Sequence, residues 1–442
     1  MKSKTTRLSE MPGLGKLLCA TSAALAGIVM LAVPQEARAD AYTWTPTAAG
    51  TAYNWDNASS QNNWTSGFPH LADDIANLNI NLAGAQTINL NQAITNGTIN
   101  LGDTGSTYYT TTIAPNGGSL ILDGPGSATI SKATAGNTAV DTISANIQLN
   151  DNLTINNAAT AATGALTLSG NISESGGALS LTKTGVGLLI LSGANAYSGA
   201  TTISAGTLQI GNAGTVGSLS TSSAIVNNGT LTFKRTDTLT QGSGFASVIS
   251  GTGVVIQAGS GTTILTGANS YSGATTVSAG TLSINSVANA GSSSAIGAYA
   301  GTGAIGLWLT GCTLKYTGSS ASTDRGFSLS TASSTIDVSP ASGAATLTLG
   351  TSSLTGGVTL NVTGSSGSLS ITAVVLTGNM IVNPTTANLT IASVTEFAGS
   401  RTLTKNGAGT LTLSGANTFS GTTTISNGKI ALGYALALQN IA

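Results

Sequence analysis

From residue 97 onward, apolar and polar residues alternate in short segments that each begin at a glycine. The repeated pattern is Gly, a small residue, an aliphatic, a polar residue and an aliphatic. It occurs at Gly97–Leu101, Gly118–Leu122, Gly164–Leu168, Gly177–Leu181, Gly229–Phe233 and Gly367–Ile371. Alternation with a period of two predicts a β-strand with one apolar face, and the glycine marks a turn before it. Because no long stretch after residue 40 keeps a 3.6-residue apolar period, the pattern predicts an all-β chain.

Three longer segments, 181–210, 255–284 and 403–432, carry this pattern twice each. Their two turn glycines are 19 residues apart in every case, as from Gly187 to Gly206. A short fixed period predicts successive coils of a β-solenoid, because one coil buries too few aliphatics to fold alone. The inward side chains of the first segment would be those of Leu189, Leu191, Ile203, Leu208 and Ile210. Ser and Thr would face outward, and Gly and Asn would form the corners.

The charge content is low for a chain of 442 residues. Only 7% of the residues are charged, against roughly 25% in an ordinary globular domain. After Ala39, nine Lys and Arg and thirteen Asp and Glu remain, which gives a net charge of −4. The cations are scattered except for Lys234–Arg235. Without a basic patch, nucleic-acid binding is excluded.

The first 39 residues have the three parts of a secretory signal peptide. Four basic residues precede the apolar stretch Leu17–Val33, and Ala37-Arg38-Ala39 matches a cleavage site, so the mature chain would begin at Asp40. The alternative is a membrane anchor, for which a stretch of 17 residues that includes Thr21 and Ser22 is at the short limit. The signal implies that the inner-membrane secretion machinery is a partner. Only Cys312 remains after cleavage, and a single cysteine predicts no internal disulfide. Cys312 alternates in phase with Leu314, which predicts a buried thiol.

The candidates for chemistry are few. Asp103-Thr104-Gly105-Ser106 has the letters of an aspartic-protease motif but no second copy, so a turn is expected. His70, the single histidine, is expected in a loop. Asp73 and Asp74 near Asp56 are candidate calcium ligands, with a solvated loop as the preferred interpretation. We therefore predict no catalytic, cofactor or metal residues.

The three segments resemble the autotransporter-associated β-strand repeat, also called the passenger-associated transport repeat. The residues that carry the resemblance are the Lys, Gly, Asn and aromatic positions. Lys183 and Lys405 occupy the lysine position, and Gln257 replaces it in the middle segment. The other structural positions are Gly193, Asn195, Tyr197, Gly199 and Gly206, then Gly267, Asn269, Tyr271, Gly273 and Gly280, then Gly415, Asn417, Phe419, Gly421 and Gly428. The aromatic residues could stack on sugars, but covering a corner of their own coil is the expected role.

The resemblance implies a right-handed parallel β-helix passenger, exported and then displayed or released by a Gram-negative-type cell. Residues 44–79, with Trp44, Trp55 and Trp64, also resemble the N-terminal Trp/Asn motif of large surface proteins that carry this repeat. The expected domains are a signal peptide at 1–39, a cap segment at 40–96 and a solenoid at 97–442. Family members end in an outer-membrane barrel, a partner that this chain does not supply, so we expect the solenoid to be cut short.

Three functions remain open from the sequence. The first is a non-enzymatic surface or secreted stalk, adhesin or matrix component, with host or matrix glycans as candidate ligands. The second is a passenger fragment that serves only folding and transport. The third is a polysaccharide-active β-helix enzyme, whose nearest candidate residues are Lys234, Arg235 and Asp237.

Overall fold

The computed structural model describes residues 39–46, 52–56, 63–65, 67–132, 136–160, 163–246, 248–301, 305–435 and 437–438. The secondary structure of this part of the chain consists of strands, with no α-helix in the described ranges. The strands pair in parallel, each with the strand one coil earlier and the strand one coil later. The all-β solenoid predicted from the sequence is therefore confirmed. Its right-handed sense stays a prediction.

The strands form four parallel sheets, numbered here from the N-terminal end. Sheet 1 contains Ala41–Thr43, Ile75–Asn77, Thr98–Leu101, Ala128–Lys132, Leu153–Asn157, Leu181–Thr184, Thr201–Ile203, Ile225–Asn227 and Ile249–Ser250. Sheet 2 contains Ala52–Asn54, Gln86–Leu90, Thr111–Pro115, Asp141–Ile143, Leu166–Leu168, Leu188–Leu191, Thr207–Gly214, Thr230–Arg235, Val254–Gln257, Thr275–Val277, Ile305–Leu309, Ala321–Ser322, Gly326–Leu329, Ala345–Leu354, Gly367–Leu376, Asn388–Ile391, Val394–Glu396, Thr410–Leu413 and Lys429–Leu432. Sheet 3 contains Ile94–Asn96, Leu120–Leu122, Ile147–Leu149 and Ile172–Glu174. Sheet 4 contains Thr238–Thr240, Thr262–Leu265, Thr281–Ile284, Thr313–Tyr316, Ser334–Val338, Thr359–Thr363, Met380–Pro384, Leu403–Lys405 and Thr423–Ile425.

The core is a continuous column of aliphatic side chains inside the coils. In most strands alternate residues are buried, as the period of two predicts, and the five inward residues predicted for the first repeat are all fully buried. In the in-register stack, Leu166 lies beside Leu189, and Leu189 beside Leu208. Each coil therefore covers the apolar side chains of the coils on both sides of it.

Coil length is fixed within the repeats and variable outside them. Leu181 pairs with Thr201 and Leu403 with Thr423, twenty residues on in each case. By contrast, Thr276 pairs with Trp308, thirty-two residues on. The fixed period expected from the sequence thus holds for the three repeats, and elsewhere longer connections lie between strands that still stack in register.

Tryptophan side chains fill the N-terminal end of the column. The ring centroids of Trp44 and Trp55 each lie 5.0 Å from that of Trp64, and all three side chains are buried. The Trp44 indole N–H donates to Gln86 Oε1 at 2.8 Å, and that of Trp64 donates to the Trp55 carbonyl at 2.7 Å. Trp44 and Trp64 also form an antiparallel bridge, against the parallel order of the sheets. The three indoles therefore form one buried cluster, and a capping role for it stays a prediction. The strand Ile75–Asn77, within the predicted cap segment, already belongs to the parallel ladder.

Candidate functional site: the repeat positions that join adjacent coils

Each repeat consists of two stacked corners, and the three repeats are built alike. In the first repeat the corner joins sheets 1 and 2, and in the second and third it joins sheets 2 and 4. The offset between paired residues is nevertheless the same, with twenty residues in the first strand pair and nineteen in the second. The repeat therefore specifies a local corner, which the chain places on different faces of the solenoid.

The repeat asparagine joins three successive coils through its side-chain amide. Asn195 Oδ1 accepts the N–H of Ile172 from the preceding coil at 3.1 Å, and Asn195 Nδ2 donates to the Ser218 carbonyl of the following coil at 2.9 Å. Asn269 Oδ1 accepts the N–H of Ile249 at 2.8 Å, and its Nδ2 donates to the Ala295 carbonyl at 2.9 Å. Asn417 likewise accepts the N–H of Val394 at 2.7 Å and donates to the Ala437 carbonyl at 2.6 Å. Because all three side chains are buried, these bonds replace water at backbone groups that the strands leave unpaired.

The repeat aromatic residue lies inside the coil and does not form a surface platform. Tyr197 and Tyr271 are fully buried, and Phe419 is nearly so. The Tyr197 hydroxyl contacts Thr201 Oγ1 at 2.8 Å, and the Tyr271 hydroxyl contacts Thr275 Oγ1 at 2.7 Å. Burial raises the pKa of both phenols, so the hydroxyls stay protonated over the physiological range. Rings in this position are inaccessible to a sugar.

The repeat lysine binds the carbonyls of a turn. Lys183 is buried, and its ammonium donates to the carbonyls of Thr184 at 2.6 Å, Gly185 at 2.7 Å and, on the next coil, Ala205 at 3.3 Å. Lys405 makes the equivalent three contacts in the third repeat. In the middle repeat, Gln257 donates to the Gly259 carbonyl at 2.8 Å. A neutral donor therefore fills the same role. Burial lowers the pKa of Lys183 to about 8.

The repeat glycines occupy positions where a side chain would not fit. Gly206, Gly280 and Gly428 have φ of 68°, 57° and 72°, in the left-handed region that disfavours other residues. A Cβ on Gly199, Gly273 or Gly421 would lie 2.2 to 2.4 Å from backbone of the preceding coil. A Cβ on Gly193 or Gly415 would likewise lie 2.2 or 2.3 Å from a backbone carbonyl oxygen of the preceding coil. The Gly267 N–H donates to Gln241 Oε1 at 2.9 Å.

The residues that were candidates for chemistry have structural contacts. Asp103 is buried, and its carboxylate accepts the N–H groups of Leu82, Gly105 and Tyr109 at 2.7 to 3.1 Å. It therefore holds a turn. His70 is exposed, with its ring 4.8 Å from that of Phe68.

The acidic candidates near the N-terminus are engaged in the same way. Asp74 Oδ2 accepts the backbone N–H groups of His70 and Leu71, both at 3.0 Å, and Asp56 accepts from Asn91 at 3.2 Å. In the described ranges, no three His, Cys, Asp or Glu side chains are grouped so that they could share a metal ion. Cys312 is buried, and burial raises the pKa of its thiol.

The charged run considered for a polysaccharide-active enzyme forms a local ion pair. Arg235 contacts Asp237 Oδ2 at 2.6 Å and donates to the carbonyls of Thr215 and Gly217 at 2.6 and 2.5 Å. These contacts hold the loop that follows the bulge in the strand Thr207–Gly214.

Buried charges outside the repeats were missed from the sequence. Lys132 and Asp141 form an ion pair without exposed side-chain area, and Arg325 is buried with donations to the carbonyls of Ile296 and Gly297 at 3.0 and 3.2 Å. One signal was present for Lys132, which follows Ile130 in phase with the apolar face of its strand. Arg325 gave no such signal, because its partners lie in a long connection between strands.

Comparison with known proteins agrees with this geometry. The Passenger-associated-transport-repeat family matches residues 181–210, 255–284 and 403–432. A relative is the adhesin BmaC autotransporter of Brucella suis biovar 1 (strain 1330), 35% identical over an alignment of 296 positions that covers 60% of this chain. The matched region spans about 7% of the length of that relative. No solved structure is significantly similar to the chain.

We expect Asn195→Ala to lower the free energy of unfolding by about 2 to 6 kcal/mol, because two buried backbone groups would each lose their partner at about 1 to 3 kcal/mol. Urea denaturation followed by circular dichroism measures the change. The control is Asn116→Ala, since Asn116 is exposed and contacts Asn91 at the surface. Equal losses of unfolding free energy in the two variants would contradict the claim that Asn195 joins adjacent coils.

We expect Lys183→Gln to change how stability depends on pH. The pKa of Lys183 is about 8 in the folded chain and 10.5 without burial, so between these values the unfolded chain holds a proton that the folded chain has released. Wild-type stability relative to the variant should therefore rise with pH in this window, by at most about 1.4 kcal/mol per pH unit. Urea midpoints at pH 7 to 10 test this, and parallel curves would refute it.

Proposed function

We propose that this chain, a carrier of three passenger-associated transport repeats, is a non-enzymatic passenger β-solenoid of a Gram-negative-type cell. It would be exported and then displayed or released, and it would act as a stalk, adhesin or matrix component. The observation that carries the proposal is the equivalent use of the buried side chains of Asn195, Asn269 and Asn417 to join coils. The repeats would thus build a scaffold, in which their named polar side chains make contacts within and between coils.

The N-terminus is compatible with export. Ala37 lies outside the described residues, whereas Ala39 and Asp40 are described and exposed. The first strand begins at Ala41. Cleavage after Ala39 would therefore remove the proposed signal peptide and leave the first strand and the tryptophan cluster intact. We propose the inner-membrane secretion machinery as the partner of this signal segment. The second proposed partner is an outer-membrane barrel supplied from outside residues 39–438.

The surface favours binding over catalysis. Outward positions of the sheets are mostly Thr, Ser and Asn, as in the in-register series Thr129, Thr154, Thr182 and Thr202. Hydroxyl and amide groups can bond to polyols, and glycans of a host or matrix are therefore the proposed ligand class. In the described residues no helix is long and apolar enough to cross a membrane.

Two other functions remain as outcomes of the test. A passenger fragment that serves only folding and transport would share the repeats but have no ligand. A polysaccharide-active enzyme would need a carboxylate cluster with a base. The relative's name describes an adhesin, which favours the first proposal over both.

We expect deletion of the gene to reduce cell attachment to glycan-coated surfaces, and the intact chain to restore it. Fractionation with an antibody against residues 181–284 checks export in the same strains. The matched control is a chain with Ala37→Asp and Ala39→Asp, which should block signal cleavage and fail to restore attachment. If wild-type cells display the protein and deletion of its gene leaves attachment unchanged, a transport-only role is favoured. Uronate release from acidic polysaccharides would favour an enzyme.

A further inference from the structure

One pair of opposite charges is sealed inside the solenoid. Lys132 ends a strand of sheet 1, and Asp141 begins the next strand of the same coil, in sheet 2. Lys132 Nζ lies 3.0 Å from Asp141 Oδ2, and neither side chain has exposed area. Taking both charges out of water is costly, so a pair in this position requires close contacts to compensate.

The contacts of this pair differ from those of an ordinary ion pair. The Lys132 ammonium donates to the carbonyls of Ala139 and, at 3.3 Å, Ala165. Asp141 Oδ1 accepts the Thr111 N–H at 2.8 Å. Asp141 Oδ2 has no hydrogen-bond partner in the described residues, although Nζ lies 3.0 Å away, outside hydrogen-bond geometry. The buried Oδ2 atom of Asp141 therefore lies next to the Lys132 nitrogen without a hydrogen bond to it.

The surroundings of Asp141 favour the neutral form of its carboxyl. Burial is the largest effect on Asp141 and raises the pKa of its carboxyl, and the charge of Asp103 acts in the same direction. Lys132 and the Thr111 N–H act in the opposite direction. Transfer of one proton from the Lys132 ammonium to Asp141 Oδ2 turns the buried ion pair into an amine beside a carboxylic acid.

We propose that Lys132 and Asp141 condense in the folded protein to form an intramolecular isopeptide bond. The Lys132 nitrogen attacks Asp141 Cγ, the C–N bond forms, and the bond from Cγ to the hydroxyl oxygen breaks. The hydroxyl leaves with one proton from the nitrogen as a single water molecule. No oxidant, reductant or further reactant is needed.

Neighbouring backbone groups have positions suited to this reaction. The Thr111 N–H polarises the carboxyl through Oδ1, as a donor would in stabilising the oxyanion of the tetrahedral intermediate. The carbonyls of Ala139 and Ala165 hold the nitrogen in place. Folding of the coil brings the two groups together, so the step has the advantage of an intramolecular reaction.

Two other lysines provide a comparison within the chain. Lys183 and Lys405 are equally buried, but their ammonium groups donate to backbone carbonyls. In the described part of the chain, neither lysine is paired with a carboxylate. The proposed bond is therefore specific to Lys132, and it is independent of the adhesive role proposed above.

Tryptic digestion of the folded, then denatured, mature protein tests the proposal by mass spectrometry. Lys132 is the first basic residue after Arg38, and Lys183 is the next. A linked chain should resist cleavage after Lys132, so that the peptide ending at Lys183 begins upstream and is lighter by one water molecule. Fragment ions from breaks between residues 132 and 141 should be missing, which places the link.

The controls separate the link from other losses of water. Asp141→Ala should restore cleavage after Lys132 and the full mass, and Lys132→Gln should restore the full mass. If a variant does not fold, the wild-type digest still decides. Full mass with complete cleavage after Lys132, in protein that was purified folded and incubated, would overturn the proposal.

Discussion

Every coil of this protein depends on its neighbours for hydrogen bonds. In a parallel ladder, the backbone N–H and C=O groups of a strand pair with the strands on both sides, and none of these bonds closes within one coil. The pairing of Leu166 with Leu189, and of Leu189 with Leu208, shows the same dependence for the aliphatic core. The corners are where the ladder would otherwise fail, because strands end there and backbone groups lose their partners. The repeat asparagines act at these points.

The low charge of the chain follows from this architecture. Of the nine cations after Ala39, the four named Lys132, Lys183, Lys405 and Arg325 are buried. The solvent-facing rows consist largely of Thr, Ser and Asn, so the surface carries even less charge than the composition indicates. A buried Lys in this setting serves the backbone: it gathers carbonyls at a turn, and Gln257 shows that the positive charge itself is dispensable for that task.

The sequence predicted the strands and the stacking of the repeats because both depend on local period. Leu189 and Ile203 alternate with polar residues, and alternation alone determines which side chains face inward. The roles of the repeat asparagines and lysines depend on contacts between coils. The alternation of apolar and polar residues along the chain does not predict such contacts. Asn195 was expected at a corner, and the structure adds that its amide reaches residues 23 positions before and after it. The pair of Lys132 with Asp141 also lay beyond the sequence, because the connection between them does not fix their distance.

Hydrogen exchange resolved along the chain tests the dependence of each coil on its neighbours most directly. In Asn269→Ala, the account predicts faster exchange of the Ile249 amide on the preceding coil and of amides around Ala295 on the following coil. Coils more distant along the column should keep their protection. A loss confined to the coil of Asn269, with Ile249 unchanged, would contradict the claim that the repeat asparagine joins three coils.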